Sequence, residues 1–436
     1  MFEIDLKKTN FRLVIAAILF IVTTLNYVDR ATLSMAAPAM RKDLALDAVT
    51  MGYAFSAFGW SYTALQIPGG WLLDRFGARV VYGAGLLFWS LFTFFQGMVG
   101  FLAGAGAFTA LFALRFMMGV AEAPAFPANS RIATMWFPTH ERGLAISFFN
   151  SAQYFALAVF NPVMGFVLVT LGWPFVFYSM GLVGIVMSLV WFKMINSPQR
   201  HPSVNQAELE YIQSGGGLAD IGDKKTEIKW AYIRALVSNR MMIGVYIGQF
   251  CLNTITWFFL TWFPTYLVQA KGMSILKVGL IASIPAIAGF TGGLLGGYVS
   301  DWLLRRGFSL TIARKIPIIT GLILSASIIL ANYVTAEWVV ITVMSLAFFF
   351  KGFGALGWVV VSDTSPKEMV GLSGGIFNFA GNMASIVTPI VIGYILNVTQ
   401  SFNGALIFVG TMGFLGAVSY AVIVPDIKRV ELSIKE

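Results

Sequence analysis

Four ionised residues lie within stretches of this chain that otherwise consist of apolar and small residues. Asp29 and Arg30 stand in LNYVDRATLSMAAPAM, and Arg115 and Glu122 stand in LRFMMGVAEAPAFPAN. A charge at bilayer depth costs about 2.5 to 3.5 kcal/mol on insertion scales, so it persists where it faces a cavity and has a partner or a task. Two cations and two acids on two helices are the groups needed to bind an anion and move protons with it. The pattern predicts a carrier.

The two arginines are the predicted ligands of the anion. A guanidinium stays charged at any relevant pH, and its planar fork of donors fits a carboxylate better than the ammonium of a lysine does. Arg115 and Glu122 are two helical turns apart on one face, so a group from another helix has to lie between them. The alternative is that each arginine only pairs with an acid and holds two helices together.

Asp29 and Glu122 are the predicted protonation sites. In a water-poor cavity a carboxyl group holds its proton more tightly, and a nearby arginine weakens that hold. A conformational change that alters either effect makes such a group bind or release a proton, which is the minimum requirement for proton coupling. A permanent structural ion pair is the alternative for each acid. Sodium coupling competes with this interpretation, but the sequence singles out no set of converging oxygen ligands at a broken helix.

The composition is that of a membrane protein. Hydrophobic residues make up 58% of 436 positions and charged residues 11%, and the chain has 44 glycines. The net charge of +9 does not predict nucleic-acid binding, because the basic residues do not gather on one helix or arm. Cys251 is the only cysteine, and His140 and His201 fall in predicted loops, so neither a metal site nor a cofactor is predicted. An enzyme is disfavoured, since no histidine lies in a predicted span and no phosphate-binding loop is present.

Hydropathy and turn signals divide the chain into about twelve apolar segments of spanning length. The predicted spans are residues 13–38, 51–72, 80–99, 106–128, 142–169, 174–195, 241–269, 276–300, 313–332, 338–362, 371–396 and 403–424. The polar stretch 196–240 predicts a cytoplasmic linker between an N-terminal six-helix bundle, residues 1–195, and a C-terminal six-helix bundle, residues 241–436. This linker is too short and too polar for a sensing domain, and no pore-lining ring of charge is evident, which disfavours a receptor or a channel.

Basic residues predict the orientation in the membrane. If the loops alternate from the N-terminus, most of the 29 lysines and arginines fall on one side, and the other side holds Arg41, Lys42, Lys271 and Lys277. By the positive-inside rule both termini and the linker are cytoplasmic, which agrees with an even number of spans.

The two halves of the chain repeat each other. GGWLLD, ending at Asp74, returns as GGYVSD, ending at Asp301. At nearly the same offset, Pro138 and the pair Phe149-Asn150 return as Pro366 and Phe377-Asn378. The predicted fold class is therefore an all-α membrane protein with twelve transmembrane helices in two pseudo-symmetric six-helix halves. In carriers built from parallel repeats the substrate site lies near the bilayer midplane, between the halves.

The motif G-x-x-x-D-R-x-G-x-R, formed by Gly70, Asp74, Arg75, Gly77 and Arg79, resembles the cytoplasmic signature of the major facilitator superfamily. With Asp301 in the second copy, its charges are expected to act as a conformational latch between neighbouring helix ends. YVDR, QIPGGWLLDRFGARV, EAPAFPANSR, WFPTHERG and FNFAGN resemble the anion:cation symporter family of that superfamily. FLTWFPTYLVQAKGMSILK, ALGWVVVSDTSPKE and DIKRVEL are most similar to its bacterial glucarate/galactarate (aldarate) transporters. Galactonate carriers tend to have hydroxylated residues where this chain has Ala355 and Gly357, so the galactonate branch is disfavoured.

The resemblance implies which neutral groups contact the substrate. These positions, which the residues alone leave open to helix packing, are Tyr27, Tyr62, Gln153, Gln249, Trp358 and Asn378, beside Arg30 and Arg115. Lys351, in AFFFKGFGALGW, is a further charge within a span, either paired or snorkelling, or in contact with substrate.

The expected function is import of a sugar diacid, D-glucarate or galactarate, by proton symport through alternating access. The expected protein is a monomer in the bacterial inner membrane, whose partners are the sugar-acid anion, protons and the lipid bilayer, and not nucleic acid. The alternatives are a proton-coupled carrier of galactonate or a hexuronate and, less favoured, an organic-anion exporter.

Overall fold

The structure is a computed structural model that describes residues 8–102, 104–217, 230–366 and 370–429. These residues form helices joined by short connections and contain no strand. The helices are α1 (Phe11–Asp43), α2 (Ala48–Ala64), α3 (Gln66–Phe76), α4 (Ala78–Gln96), α5 (Gly104–Glu122), α6 (Ala125–Trp136), α7 (Thr139–Leu171), α8 (Trp173–Met194), α9 (Gln206–Ser214), α10 (Trp230–Ser238), α11 (Arg240–Thr261), α12 (Phe263–Gln269), α13 (Ile275–Ile281), α14 (Ser283–Arg305), α15 (Leu310–Ser325), α16 (Glu337–Gly352), α17 (Gly357–Thr364), α18 (Val370–Thr399) and α19 (Asn403–Val418). Short 3₁₀ turns occupy Gly97–Phe101, Pro198–Arg200, Ala326–Asn332 and Phe353–Leu356, and a π-helical turn occupies Ser419–Ile423.

Eleven helical segments of the described chain are long and apolar enough to cross a membrane, some of them made of two helices in succession. The second predicted span is interrupted. α2 ends at Ala64 and α3 begins at Gln66, because Pro68 has no N–H to donate to the carbonyl of Ala64. Together α2 and α3 cover residues 48–76, the place of the predicted second span, residues 51–72.

The helix between Gly104 and Trp136 is broken as well, where α5 ends at Glu122 and α6 begins at Ala125. Pro124 cannot continue the hydrogen-bond ladder of α5. A β-carbon on Gly69, in α3, would lie 3.2 Å from Pro124, so the two interrupted segments touch next to their breaks.

Several helices begin at a side-chain cap. Asp47 accepts the backbone N–H of Thr50 at 2.7 Å at the start of α2, and Asn239 caps α11 through the N–H of Met241 at 3.0 Å. These caps satisfy N–H groups that would otherwise lack a partner within the helix. Gly77, with φ +79°, makes the turn between α3 and α4, a backbone conformation that favours glycine.

The apolar core is shared by both halves at one end of the bundle and divided at the other. The shared cluster holds the later part of α1 from Val28 to Met40, with the end of α11 and with α12, α18 and α19. At the opposite end one cluster belongs mainly to α1, α4, α6 and α8. Another belongs to α11, α15, α17 and α18. The halves are therefore packed together where α1 and α11 end and have separate cores where these helices begin.

Glycines allow α2 and α18 to approach closely at this junction. A β-carbon on Gly52 would lie 2.6 Å from the Pro389 carbonyl oxygen, and one on Gly393 would lie 2.5 Å from the Ala48 carbonyl oxygen. Any larger side chain at either position would push the two helices apart. At the other end, β-carbons on Gly70, Gly143 and Gly375 would meet no atom within 4 Å.

Between α8 and α11, the described part of the stretch 196–240 contains a 3₁₀ turn, α9 and α10. Helix α9 is fixed to the start of α1 by its buried Glu208. The Glu208 carboxylate accepts the backbone N–H of Phe11 at 3.0 Å and that of Arg12 at 3.1 Å. Asn10, at the N-terminus of α1, makes no side-chain cap, so a distant residue takes over this task. The division into two bundles and a linker stays a prediction.

Candidate substrate and proton site

The centre of the candidate site is an ion pair between α1 and α5. Arg30 Nε donates to Glu122 Oε1 at 2.6 Å, and its Nη2 contacts the same oxygen. Both side chains are buried, Glu122 completely. Arg30 is thus the group from another helix that lies near Glu122. Glu122 is the last residue of α5, directly before the interruption between α5 and α6.

Three aromatic rings surround the Arg30 guanidinium. Its central carbon lies 4.9 Å from the ring centre of Tyr27, 4.8 Å from that of Phe58 and 4.9 Å from that of Tyr62. Faces of aromatic rings attract a cation and exclude water. The arginine is therefore held in a fixed position, close to the break between α2 and α3.

Asp29 is fully buried next to this ion pair, and its carboxylate makes no close hydrogen bond among the described residues. Trp89 on α4 acts on it as a more distant donor, and Glu122 and Arg115 on α5 act on it through their charges. The amide of Asn26 acts in the same way on Glu122. Buried carboxylates are costly unless they are paired, and here two acids share the charges of two arginines.

Arg115, the second predicted ligand of the anion, is almost completely buried. It is 1% exposed, its Nη1 lies 3.6 Å from the sulfur of Met118, and its Nε has no partner among the described residues. Its guanidinium stands 5.6 Å from the ring centre of Phe58. In this conformation the charge of Arg115 acts on both Glu122 and Asp29, and its side chain does not reach solvent.

The predicted residues of the second half lie around α18. Trp358 on α17 packs edge-on against Phe377 at 4.8 Å between ring centres and is 48% exposed. Gln249 on α11 lies beside Gly357 and Gly381, where added β-carbons would be 3.4 Å and 2.9 Å from its side chain. Asn378, next to Phe377, accepts the amide of Asn382 at 3.1 Å.

A hydrogen bond joins the two groups of residues across the halves. Asn378 Nδ2 donates to Gln66 Oε1 at 3.1 Å. Gln66 stands one turn after Tyr62, whose hydroxyl lies beside both Gln66 and Arg30. The sequence analysis predicted an uninterrupted span here and did not single out Gln66, although Pro68, two residues later in QIPGG, was a usable signal for a break.

Gln153 is not brought into either group, since its amide donates to the carbonyl of Asn150 on its own helix at 3.1 Å. Its neighbour Tyr154, which the sequence analysis missed, lies between the halves. The Tyr154 ring centre is 5.5 Å from that of Phe290 on α14.

The latch residues lie at the end where the halves have separate cores. Arg79 donates to the Phe192 carbonyl at the end of α8 at 2.6 Å, and Arg75 stands 5.4 Å from the ring centre of Trp71. In the second half Arg314 contacts Asp301 at 3.5 Å and Asp363 at 3.0 Å. The side chain of Asp74 lies outside the described part of the structure.

Comparison with curated proteins finds close relatives along the whole chain. A probable galactarate/D-glucarate transporter, GudP of Bacillus subtilis (strain 168), is 57% identical over 434 residues, covering 99% of this chain and 95% of the relative. A protein of the same name from Escherichia coli (strain K12) is 57% identical, covering 98% and 96% of the two chains. A D-galactonate transporter from Escherichia coli O6:H1 is 43% identical, covering 97% and 98%.

Solved structures share the fold. A D-xylose-proton symporter superposes with a TM-score of 0.71 at 17% identity, covering 96% of this chain and 99% of its own. A bacterial homologue of the human lysosomal transporter Spinster, inward-facing and unoccupied, has a TM-score of 0.70 at 16% identity, with 96% and 95% covered. The family model described as Major Facilitator Superfamily matches residues 19–313. Together with the eleven apolar segments of spanning length among the described residues, these matches establish that this multi-pass membrane protein belongs to the major facilitator superfamily of transporters.

Proposed function

We propose that this protein imports D-glucarate or galactarate across the bacterial inner membrane by proton symport. The observation that carries the proposal is the Arg30–Glu122 pair, in which the donor fork suited to a substrate carboxylate is held by an acid that can be protonated. Two relatives that are 57% identical over nearly their whole length bear the name of galactarate/D-glucarate transporters.

Coupling follows from competition for Arg30. While Glu122 is ionised it occupies the guanidinium, and a substrate carboxylate approaching the site meets a second negative charge. A proton on Glu122 removes that charge and leaves Arg30 free to donate two parallel hydrogen bonds to the substrate. Proton and anion therefore favour each other's binding, which is the condition for symport.

Asp29 is the second proposed proton carrier. It is fully buried beside the ion pair, so a bound proton removes a buried charge. Its charged neighbours are Glu122 and Arg115. Arg115 also acts on Glu122, while Glu122 contacts Arg30 directly. We propose Arg30 as the direct anion ligand and Arg115 as the second cation of the site, whose charge acts on both acids.

Neutral groups recognise the sugar hydroxyls in this proposal. Tyr27, Tyr62 and Gln153 come from the first half, and Gln249, Trp358 and Asn378 come from the second half. The Asn378–Gln66 hydrogen bond crosses the halves and would exchange for bonds to substrate hydroxyls. Such an exchange ties occupancy of the site to the separation of α3 from α18.

Alternating access is proposed to move the N-terminal bundle, residues 1–195, against the C-terminal bundle, residues 241–436. The end with separate cores is assigned to the cytoplasm, with both termini and the linker 196–240, in keeping with the distribution of basic residues. Gly70, Asp74, Arg75, Gly77, Arg79 and Asp301 would hold the cytoplasmic helix ends. We propose that one chain suffices for transport.

The test is uptake by the purified protein in lipid vesicles with an imposed inward pH gradient. Labelled glucarate and galactarate should accumulate without sodium, and the accumulation should collapse when a protonophore is added. Galactonate and glucuronate are screened in parallel. Preference for either of these monoacids would replace the substrate class, whereas an absolute sodium requirement, or uptake that ignores the proton gradient, would remove the coupling mechanism. Vesicles preloaded with unlabelled substrate should accelerate label entry, which a channel does not do.

A further inference from the structure

Lys351 is the one cation of the second half for which the candidate site has no assigned task. It lies in the last turn of α16, and its Nζ stands 5.0 Å from the ring centre of Phe348. Its side chain forms neither an ion pair nor a hydrogen bond with any described residue. The residue is half-buried within a membrane segment, where a charge usually has a partner or a task, so its ammonium is available to a negative group of a ligand.

Lys351 lies at about the same depth as Arg30. Ser34 on α1 donates to the Thr261 carbonyl at the end of α11 at 2.9 Å, which places these two residues level. Arg30 stands one turn before Ser34, about 6 Å nearer the beginning of α1 at 1.5 Å per residue.

The depth of Lys351 follows from α11 and α16. The ring of Phe348 packs on that of Phe259 at 4.4 Å between centres, and α16 runs opposite to α11 because it is the third crossing after it. Lys351, three residues beyond Phe348, therefore lies about 7 to 8 Å below the level of Thr261. The cation of each half thus stands near the same plane.

Both residues also belong to faces that meet between the halves. A small cavity between the halves is lined by Ala31 and Met35 of α1 and by Phe348 of α16. Ser34 of α1 lines the same cavity. Arg30, one turn before Ser34, and Lys351, one turn after Phe348, extend these two faces toward the end of the bundle where the halves have separate cores. The Tyr154 hydroxyl lies 4.0 Å from where a β-carbon of Gly293 would stand, and Gly293 packs against Gly352, the neighbour of Lys351.

We infer that Lys351 binds the second carboxylate of a dicarboxylate substrate whose first carboxylate binds at Arg30. The inference rests on the proposed function and adds the basis for choosing a diacid over a monoacid. An extended six-carbon diacid is comparable in length to the spacing of packed helices, about 8 to 10 Å, and so reaches from one half to the other. The ammonium is a point charge on a flexible stem. It accepts a carboxylate from several directions, which suits two epimers that differ only in their hydroxyl groups.

The second carboxylate of the substrate is also expected to draw the two halves together. A monoacid that occupies Arg30 leaves Lys351 without a counter-charge, whereas a diacid neutralises one cation on each half. Only the diacid therefore draws the two faces together by charge. Specificity for the diacid then comes from an interaction with Lys351 that a monoacid, which has only one carboxylate, leaves unmade.

The experiment measures equilibrium binding of glucarate and of the monoacid galactonate to the purified full-length protein. The variants are Lys351→Gln, which removes the charge, and Lys351→Arg, which keeps it. Lys277→Gln is the matched control, because Lys277 is a half-exposed lysine paired with Glu337 at the rim. Loss of one charge-assisted contact should weaken glucarate binding of Lys351→Gln about tenfold or more. Galactonate binding should change less than about twofold, and Lys351→Arg and Lys277→Gln should keep the wild-type preference.

The outcomes separate this inference from the proposed function. If the wild-type protein binds no sugar acid, the proposed function fails. If the wild-type protein binds glucarate but Lys351→Gln keeps full affinity, or loses both ligands equally while remaining monodisperse, Lys351 does not read the second carboxylate. Should Lys351→Gln fail to fold, Lys351→Arg together with Lys351→Met decides the question, since only the charged variant should retain the preference for the diacid.

Discussion

The two halves contribute different chemistry to the space between them. The first half supplies Asp29, Arg30, Arg115 and Glu122, all buried within a small volume and enclosed by aromatic rings. The second half supplies amides and an indole around α18, and Lys351 on α16 is a cation without an ion pair among the described residues. The first half carries charges that depend on protons, whereas the amides and the indole of the second half form hydrogen bonds that do not change with pH.

This difference assigns separate tasks to the halves. A protonation event in the first half alters how strongly an anion is held, because Glu122 and a substrate carboxylate compete for one guanidinium. The amides and the indole of the second half carry no charge, so they respond to the shape and the hydroxyl groups of a substrate and not to protons. Coupling and selectivity should therefore fail separately when residues of one half or the other are replaced.

The largest effect is expected for Arg30→Lys. Lysine keeps the charge but loses the planar fork and its fit between three rings, which should weaken substrate binding by about 1.5 to 3 kcal/mol, at least tenfold. Direct binding of glucarate to the purified protein measures this loss. Arg41→Lys is the matched control at the far end of the same helix, where Arg41 reaches Gln269 at 3.2 Å. Wild-type affinity in Arg30→Lys would show that Arg30 does not bind the substrate, against the proposed division of tasks between the halves.

Glu122→Gln should separate coupling from binding. The amide keeps one oxygen that can accept from Arg30 but carries no titrating proton. The variant should exchange labelled for unlabelled substrate across vesicles and yet fail to accumulate substrate when a proton gradient is applied. Proton-driven accumulation at the normal rate would leave Glu122 as a structural partner of Arg30. We expect Asp29→Asn to behave similarly but with weaker binding as well, because Asp29 adjoins Arg30 on α1.

Sequence patterns predicted the crossings and the charged residues well, since a charge in an apolar segment and spans of about 20 residues are local signals. The pairing of these charges was not predictable. Glu122, the last residue of α5, contacts Arg30 on α1, 92 residues away in sequence. Such a meeting depends on how two helices pack, which no short pattern encodes.

The bond between Gln66 and Asn378 was likewise missed, because amides in membrane helices serve as helix contacts or ligand contacts with the same sequence appearance. The docking of α9 was missed for a different reason. A polar stretch with both charge signs predicts a solvated linker, yet Glu208 is fully buried and forms the N-terminal cap of α1. The burial of Glu208 depends on contacts with residues about 200 positions away, so it cannot be predicted from the residues near it in sequence.

A smaller effect is expected in the second half. Asn378→Ala removes one neutral donor and one neutral acceptor. Substrate binding should therefore weaken by about 1 kcal/mol, near fivefold in affinity. The ratio of proton-driven uptake to exchange should stay at the wild-type value, in contrast to Glu122→Gln. Asn397→Ala, at an exposed position on α18, is the control. Loss of coupling in Asn378→Ala would show that the halves do not divide the work as described.

The smallest effect on transport is expected for Glu208→Gln, which tests whether α9 belongs to the first half only as a structural support. Glu208 caps α1 through two backbone N–H groups and accepts the Thr9 hydroxyl at 2.6 Å. An amide keeps one accepting oxygen and turns its NH₂ group toward donors, so stability should fall by about 1 to 2 kcal/mol. Thermal unfolding of the purified protein should show a lower midpoint, while the affinities for glucarate and galactonate and the accumulation ratio stay unchanged. Glu210→Gln is the control on the same helix, where the carboxylate is exposed and contacts Gln206 at 2.9 Å. A changed accumulation ratio in Glu208→Gln at unaltered stability would place the linker helix within the coupling machinery, because the cap of α1 would then influence the charges of Asp29 and Arg30 about five turns further along that helix.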